Sequence, residues 1–350
     1  AFLKPLLLFS QFICSGKNAV RGDRMKKKNL FYAFCKKHGV VFALLALILA
    51  AALLFPEFAS YGNVTNILNQ NSMIGIISLG MTFVILTGGI DLSVGSLAAL
   101  SSVLAAVLSP KGSLAIMILV PLAVCTAMGL LSGLIIAKLQ IAPFIATLGM
   151  MMAARGIALV MTDGGVSVSV DTGVAETFRL FARSYLLRVP APVWLFVLLL
   201  VTGLYIARRT RSGRYVYAVG GNEEAARMMG LQPEKIKIAV YTVNGLLAGL
   251  AGLILASRLG AGQPVTCDGW EMTAIAATAI GGTLLSGGRG GLGGTAIGVF
   301  IIGVISNMIN LQGSLSSWWQ SIITGLLLLF VVMLQSHARA NGTGSTEIAG

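Results

Sequence analysis

Ten apolar runs separated by short polar or basic gaps dominate the pattern of hydrophobic positions along this chain. A helix that crosses a bilayer needs roughly 20 apolar residues, and several runs approach or reach that length. The runs lie at residues 40–55, 67–87, 92–108, 114–137, 142–162, 192–207, 236–257, 271–285, 293–311 and 317–334. The pattern predicts an all-α integral membrane protein with about ten transmembrane helices.

The third and eighth runs, 92–108 and 271–285, are short and flanked by glycine. Each is either a full span or a re-entrant or broken helix. Non-helical backbone at membrane depth is tolerated only where protein or a water-filled cavity covers it. These two breaks are therefore candidates for the pathway through the membrane.

Composition and charge agree with a membrane protein. The chain is 56% hydrophobic and 11% charged, whereas a soluble domain carries about 25% charged residues. The net charge of +13 comes from basic residues in the gaps between runs, so we expect no nucleic-acid partner. With the N-terminus inside, most lysines and arginines fall in cytosolic segments, which predicts both termini in the cytosol.

The runs also set the expected domain boundaries. Residues 1–39 form an N-terminal cytosolic extension, 40–335 the transmembrane domain with a cytosolic loop at 208–235, and 336–350 a tail. Residues 1–24 are either an extension upstream of a start at Met25 or a signal-peptide remnant, and we favour the former. The four cysteines are scattered without a CxxC pair, so we expect no metal site.

The cytosolic loop contains signals for a short helix at residues 223–229. Asn222 is a good N-cap, and Glu223 and Glu224 suit the positive end of a helix. Gly230 is a natural stop, and Pro233 follows it.

A helix of two turns is marginal alone, so the segment must pack on something. Ala225, Met228 and Met229 make a small apolar face. This face either inserts into a groove of a partner or lies against the chain's own membrane domain.

Asp91 is a carboxylate near the middle of the apolar runs, and such a residue is a candidate functional site. Gly88 and Gly89 before it and Ser93 after it indicate a helix break, with Asp91 capping the third helix. A role in the transport pathway and a role in proton coupling remain open.

Several motifs together resemble one family. The Glu-Ala-Ala of residues 224–226 with Gly230 matches the core of a motif in permease subunits of ABC importers, although the Ile-x-Leu-Pro element is absent. Residues 80–96, 142–149 with Arg155-Gly156, 214–230 and 281–290 follow in the order found in the ribose/xylose-type sugar ABC permeases. The resemblance covers roughly residues 40–335. The chain is thus similar to type II importer membrane subunits, which are related to branched-chain amino acid permeases.

The resemblance implies a permease that moves a monosaccharide by ATP-driven alternating access, in the bacterial cytoplasmic membrane. It implies three partners: an ABC ATPase subunit, a second permease copy or close homologue, and an extracytoplasmic substrate-binding protein. The glycine-rich segment 287–294 lacks the Gly-Lys-Ser/Thr ending of a phosphate-binding loop and is expected to be a tight turn. We therefore expect no cofactor and no enzyme activity in this chain, with ATP bound by the partner subunit. The expected ATPase-coupling residues are Asn222, Glu223, Glu224, Ala225, Ala226, Met228, Met229 and Gly230.

Neutral polar residues inside the runs suit a sugar route, because amides and hydroxyls bond to sugar hydroxyls without burying charge. Each could instead make hydrogen bonds between helices. No aromatic stacking platform for a sugar is evident in the spans. The candidate pathway residues are Asn71, Thr82, Gly88, Gly89, Asp91, Ser93, Asn244 and Asn307, and Asn69, Gln70 and Ser306 share their character. The alternatives are a secondary transporter coupled to an ion gradient and an ABC permease for branched-chain amino acids.

Overall fold

A computed structural model describes residues 39–313, 316 and 318–343, so almost all of the predicted N-terminal extension lies outside the described residues. The described part is mostly helical and contains almost no sheet. Its helices are Gly39–Leu54 (α1), Tyr61–Leu86 (α2), Val94–Val107 (α3), Leu114–Lys138 (α4), Pro143–Val160 (α5), Thr172–Arg183 (α6), Ala191–Arg209 (α7), Arg211–Gly221 (α8), Glu223–Met228 (α9), Pro233–Leu259 (α10), Trp270–Ile280 (α11), Leu292–Gln312 (α12) and Trp318–Thr343 (α13).

The strands of the described part are two-residue segments. Val168–Ser169 (β1) pairs antiparallel with Ala261–Gly262 (β4), and Tyr185–Leu186 (β2) pairs with Val189–Pro190 (β3). These pairings join loops on one side of the helix bundle.

Each predicted apolar run corresponds to a helix, but the helices differ in length. Seven of them are long and apolar enough to cross a membrane: α2, α4, α5, α7, α10, α12 and α13. At 1.5 Å per residue, α3 is about 21 Å long and α11 about 17 Å, against a hydrocarbon core of roughly 30 Å. The membrane domain is all-helical as predicted. The two short runs, for which a full span and a broken helix were both left open, form helices too short to span the membrane alone.

Three span boundaries differ from the prediction by five residues or more. The second run was expected to begin at residue 67, but α2 begins at Tyr61. The eighth run was expected to continue to residue 285, but α11 ends at Ile280 because Gly281 and Gly282 follow, the latter with φ +88°. The last run was expected to end at 334, whereas α13 continues to Thr343 in the described part.

The chain alternates between two sides of the bundle. On one side the Tyr61 hydroxyl donates to the Arg188 carbonyl, and β1 pairs with β4. On the other side the Gly288 amide donates to the Leu86 carbonyl, close to α8 and α9. Because the basic cluster at 208–214 lies with α8 and α9, the charge rule makes this second side cytosolic.

The interior is built around α2, α3 and α10. Glycines on α10 allow neighbouring backbones to approach closely. A Cβ on Gly252 would lie 2.1 Å from the Ala98 carbonyl oxygen of α3, and one on Gly245 would lie 2.4 Å from the Cys125 carbonyl oxygen of α4. By contrast, α4, α5, α7 and α13 direct many apolar side chains outward, as expected for helices at the rim of a membrane protein.

Two helices of the described part, α6 and α8, are absent from our prediction. The outer loop expected at 163–189 contains α6, whose N-cap Asp171 accepts a hydrogen bond from the Gly173 amide. Phe178 and Ala182 of α6 are buried, and the Ser257 hydroxyl of α10 donates to the Phe178 carbonyl. The apolar residues of this segment are too few to form a run, so the hydropathy pattern predicts a loop here. The same holds for α8 in the cytosolic loop, where the capping signals predict only the helix at 223–229.

Candidate functional site

A cavity of about 380 Å³ lies in the outer half of the bundle, between α2, α12, α13 and the start of α11. We call it the outer cavity. Amides and hydroxyls dominate its polar lining: Asn66, Gln70, Asn71, Thr273, Ser306, Asn307, Asn310, Gln320, Ser321 and Thr324. Two of the eight predicted pathway residues, Asn71 and Asn307, line it, and so do Gln70 and Ser306.

Some of these amides also connect helices. Asn307 of α12 and Asn63 of α2 exchange two hydrogen bonds, of 2.7 and 3.0 Å. Gln320 of α13 donates to the Asn310 side chain of α12 at 2.8 Å. An amide side chain has more hydrogen-bond donors and acceptors than these contacts use. It can therefore connect two helices and still bond to a solute in the cavity.

Asn71 shows how the wall is shaped. Its amide donates to the Ile67 carbonyl at 2.7 Å and occupies space that exists only because residue 303 is a glycine. A Cβ on Gly303 would lie 2.1 Å from the amide of Asn71. The glycine on α12 therefore positions an amide of α2 at the cavity.

Trp270 and Asp268 are among the lining residues that sequence reasoning missed, and they differ in character from the amides and hydroxyls. Trp270, at the first position of α11, is half-buried at the cavity, although no aromatic platform was expected. Asp268 lies two residues earlier, and its side chain is 88% exposed and 3.7 Å from the Arg155 guanidinium of α5. Both lie where an apolar run begins, so the hydropathy pattern gives no sign that they face a cavity.

The other predicted pathway residues form a separate, packed cluster. The Asp91 side chain is fully buried and accepts three hydrogen bonds: from the Ser93 amide at 2.9 Å, the Ser93 hydroxyl at 2.6 Å and the Asn244 side chain at 2.8 Å. The expected capping of α3 is therefore wrong in detail, because Asp91 bonds Ser93, the residue before the helix, and not an amide of its first turn. Asp91 instead joins the break before α3 to α10.

Glycines let the break run close to its neighbours. Gly88 has φ +80°, and a Cβ on Gly89 would lie 2.3 Å from the Tyr241 hydroxyl oxygen. Deeper in α2, the Thr82 hydroxyl lies 2.8 Å from the Thr295 hydroxyl of α12. These contacts connect helices, as the packing interpretation of such residues expects.

We expect Asp91→Asn to be tolerated and Asp91→Ala to be destabilising. An asparagine keeps the shape and an oxygen acceptor, and the Asn244 amide can reverse to accept its new donor. Alanine leaves the donors of Ser93 and Asn244 unpaired, at about 1–3 kcal/mol for each buried group. Thermal unfolding of both variants in detergent, followed by size-exclusion chromatography, checks this. A large destabilisation by Asp91→Asn would show that the charge itself is required.

The predicted cytosolic helix forms as α9, one residue shorter than expected. The Asn222 side chain accepts from the Ala225 amide at 2.9 Å, and Gly230 ends the segment with φ +83°. Ala226 is fully buried, whereas the side chains of Met228 and Met229 are 89% and 70% exposed. The helix thus rests on its own membrane domain through Ala226 and leaves two methionines uncovered.

Ion pairs hold α9 against the start of α10. Lys237 lies 2.6 Å from Glu223, and Arg227 lies 2.6 Å from Glu234 and 3.8 Å from Glu223. Partly exposed pairs are worth only about 0.2–1 kcal/mol each, but the four residues form one network. This network connects α9 to α10, and Asn244 of α10 in turn bonds Asp91.

The end of α8 makes a second connection to the membrane domain. A Cβ on Gly220 would lie 1.7 Å from the Leu86 carbonyl oxygen at the end of α2, and that oxygen accepts from the Gly288 amide at 3.0 Å. Tyr217 donates to the Gly290 carbonyl at 3.0 Å, and burial raises its pKa, with Arg208 partly opposing. The glycine-rich segment thus forms the expected tight turn, packed against α8.

A bundle of long apolar helices, a polar cavity in its outer half and a fixed helix with uncovered methionines on the cytosolic side describe a multi-pass membrane permease. A family model for the permease component of branched-chain amino acid transport systems matches residues 63–332. The chain belongs to this permease family.

Curated relatives agree with the family model. The chain is 43% identical over 316 residues to the ribose import permease protein of Bacillus subtilis (strain 168). The aligned region covers 90% of this chain and 97% of the relative. It is 36% identical over 302 residues to the L-arabinose transport system permease protein of Escherichia coli (strain K12), and the aligned region covers 86% of this chain and 90% of that protein. No solved structure matches the chain significantly. The resemblance to sugar-type ABC permeases and the location in the bacterial cytoplasmic membrane are confirmed.

Proposed function

We propose that this chain is the membrane subunit of an ABC importer for a monosaccharide, with ribose as the first candidate. The observation that carries the proposal is α9, a short helix fixed by a cap and an ion-pair network while Met228 and Met229 remain exposed. Uncovered apolar side chains on a rigid helix suit insertion into a groove of a partner. The names of the relatives supply the substrate candidates, ribose and L-arabinose.

The mechanism follows from the connections of α9. A separate ATPase subunit binds and hydrolyses ATP and moves α9, and the ion pairs pass the motion to α10. Gly220 and the turn at 287–290 pass it to the end of α2. A second permease copy or close homologue completes the pathway, and an external binding protein delivers the sugar to the outer side.

Purification of the full chain from native membranes in a mild detergent tests the partner proposal. We expect a stoichiometric subunit with a phosphate-binding Gly-Lys-Ser/Thr sequence to co-purify. A chain that purifies alone and moves solute into vesicles without ATP would instead indicate a secondary transporter.

Uptake measurements on the reconstituted complex test the substrate. We expect ATP-dependent uptake of labelled ribose that unlabelled ribose competes away and leucine does not. Since the family model carries the name of branched-chain amino acid systems, competition by leucine without competition by ribose would favour that second substrate class.

A further inference from the structure

We propose that the outer cavity is itself a sugar site of the permease, in which Asp268 accepts hydrogen bonds from sugar hydroxyls and Trp270 packs against the sugar ring. This inference rests on the proposed function and assigns the step between delivery of the solute and its passage inward. At about 380 Å³ the cavity lies near the lower end of the range for small-molecule sites, roughly 300–1,000 Å³. That size suits one sugar ring.

The charge of the cavity suits a neutral solute. Asp268 is the charged residue among those that line it, and the Arg155 guanidinium lies 3.7 Å from one of its oxygens. The pair balances its own charge, so neither an anion nor a cation gains from entering. A carboxylate is nevertheless a stronger acceptor than an amide, and its 88% exposure leaves it available to hydroxyl groups.

Asp268 is also held in place. Arg155 donates to the carbonyls of Pro264 and Thr266, so one side chain of α5 fixes the turns that lead into α11. Behind that segment, a Cβ on Gly95 would lie 2.5 Å from the Cys267 carbonyl oxygen, which shows how closely α3 supports it. Arg155 is therefore a positioning residue for Asp268.

Trp270 supplies the apolar part of the site. It begins α11 beside Asp268 and is half-buried: it packs against the hydrophobic core and also lines the cavity. A large aromatic face with a polar edge suits a ligand that has both C–H and O–H groups. Gln70 and Ser306 from α2 and α12 face the same space and add donors and acceptors.

The first experiment measures uptake of labelled ribose by the complete reconstituted transporter carrying Asp268→Asn or Trp270→Leu. We expect each variant to lower the uptake rate at least tenfold at low ribose, with ATP hydrolysis retained. Glu57→Gln and Trp318→Leu are matched controls, since both residues are exposed in the outer half and neither lines the cavity. Uptake by both cavity variants at the wild-type rate would overturn the proposal.

A second readout needs no transport. A cysteine introduced by Ser321→Cys lies in the cavity wall, whereas one introduced by Trp318→Cys lies outside it. Ribose is expected to slow alkylation of the first cysteine by a water-soluble thiol reagent and not that of the second, and Asp268→Asn is expected to weaken the protection. Absence of protection in the otherwise wild-type chain counts against the site. If protection is seen but the complex moves no sugar, it is the proposed function that fails.

Discussion

Replacing Gly220 with alanine is expected to destabilise the protein strongly and to lower transport. The new methyl group would lie 1.7 Å from the Leu86 carbonyl oxygen and close to the Gly288 amide, so backbone atoms of α2 and of the turn would have to move. Overpacking typically costs about 1–3 kcal/mol, occasionally more, and a clash with backbone cannot be relieved by a rotamer change. The bond between Gly288 and Leu86 would also weaken.

The neighbouring glycine provides the control for this substitution. A Cβ on Gly221 meets no atom within 4 Å, and its φ is not positive. Gly221→Ala should therefore change stability by no more than about 0.5–1 kcal/mol. The unfolding temperatures of the two variants in detergent test this. Equal temperatures for both variants would show that α8 does not pack against the end of α2 as closely as described.

Introducing charge on the exposed face of α9 is expected to uncouple ATP hydrolysis from uptake. Met228→Asp combined with Met229→Asp removes two apolar side chains that contribute little to the membrane domain, since they are 89% and 70% exposed. A charge placed in a partner's apolar groove is costly to desolvate. We expect at least a tenfold loss of uptake and loss of the ATPase subunit on purification, with an unchanged unfolding midpoint.

Glu224→Lys tests the same surface by charge. Glu224 is exposed on α9, so its reversal should spare the fold but weaken docking. Val166→Asp and Glu57→Lys make comparable changes at exposed positions on the outer side. Uptake that falls equally in the outer-side variants, or that survives in both α9 variants, would remove α9 from the coupling step.

The surroundings of Asp91 do not support the alternative of a secondary transporter coupled to an ion gradient. Its hydrogen-bond partners are the neutral residues Ser93 and Asn244, and all three are buried in packed protein. A carboxylate that carries protons would need a path to water, and these contacts describe a joint between helices. If Asp91→Asn unfolds at the wild-type temperature, we expect it also to keep the wild-type uptake rate.

The sequence by itself determined much of the local structure, although not α6 or α8. Apolar runs predict spans because a helix in lipid must satisfy its backbone internally and cover itself with apolar side chains, and each run corresponds to a helix. Asn222 and Gly230 mark the ends of α9 because a side-chain cap and a left-handed C-terminal glycine act within a few residues. The short lengths of α3 and α11 were likewise visible in the two weak runs.

Only the tertiary structure decided which polar residues meet. Asn244 reaches Asp91 across 153 positions of the chain, and Asn63 reaches Asn307 across 244. Hydropathy reports how each residue suits lipid or water, not which helix lies beside it. The sequence therefore predicts the same pathway role for Asn71, Asn307 and Asn244. In the structure, Asn71 and Asn307 line a cavity, whereas Asn244 is buried where it bonds Asp91. Trp270 became a site residue because α11 begins beside open space, and that space exists only through the packing of four helices.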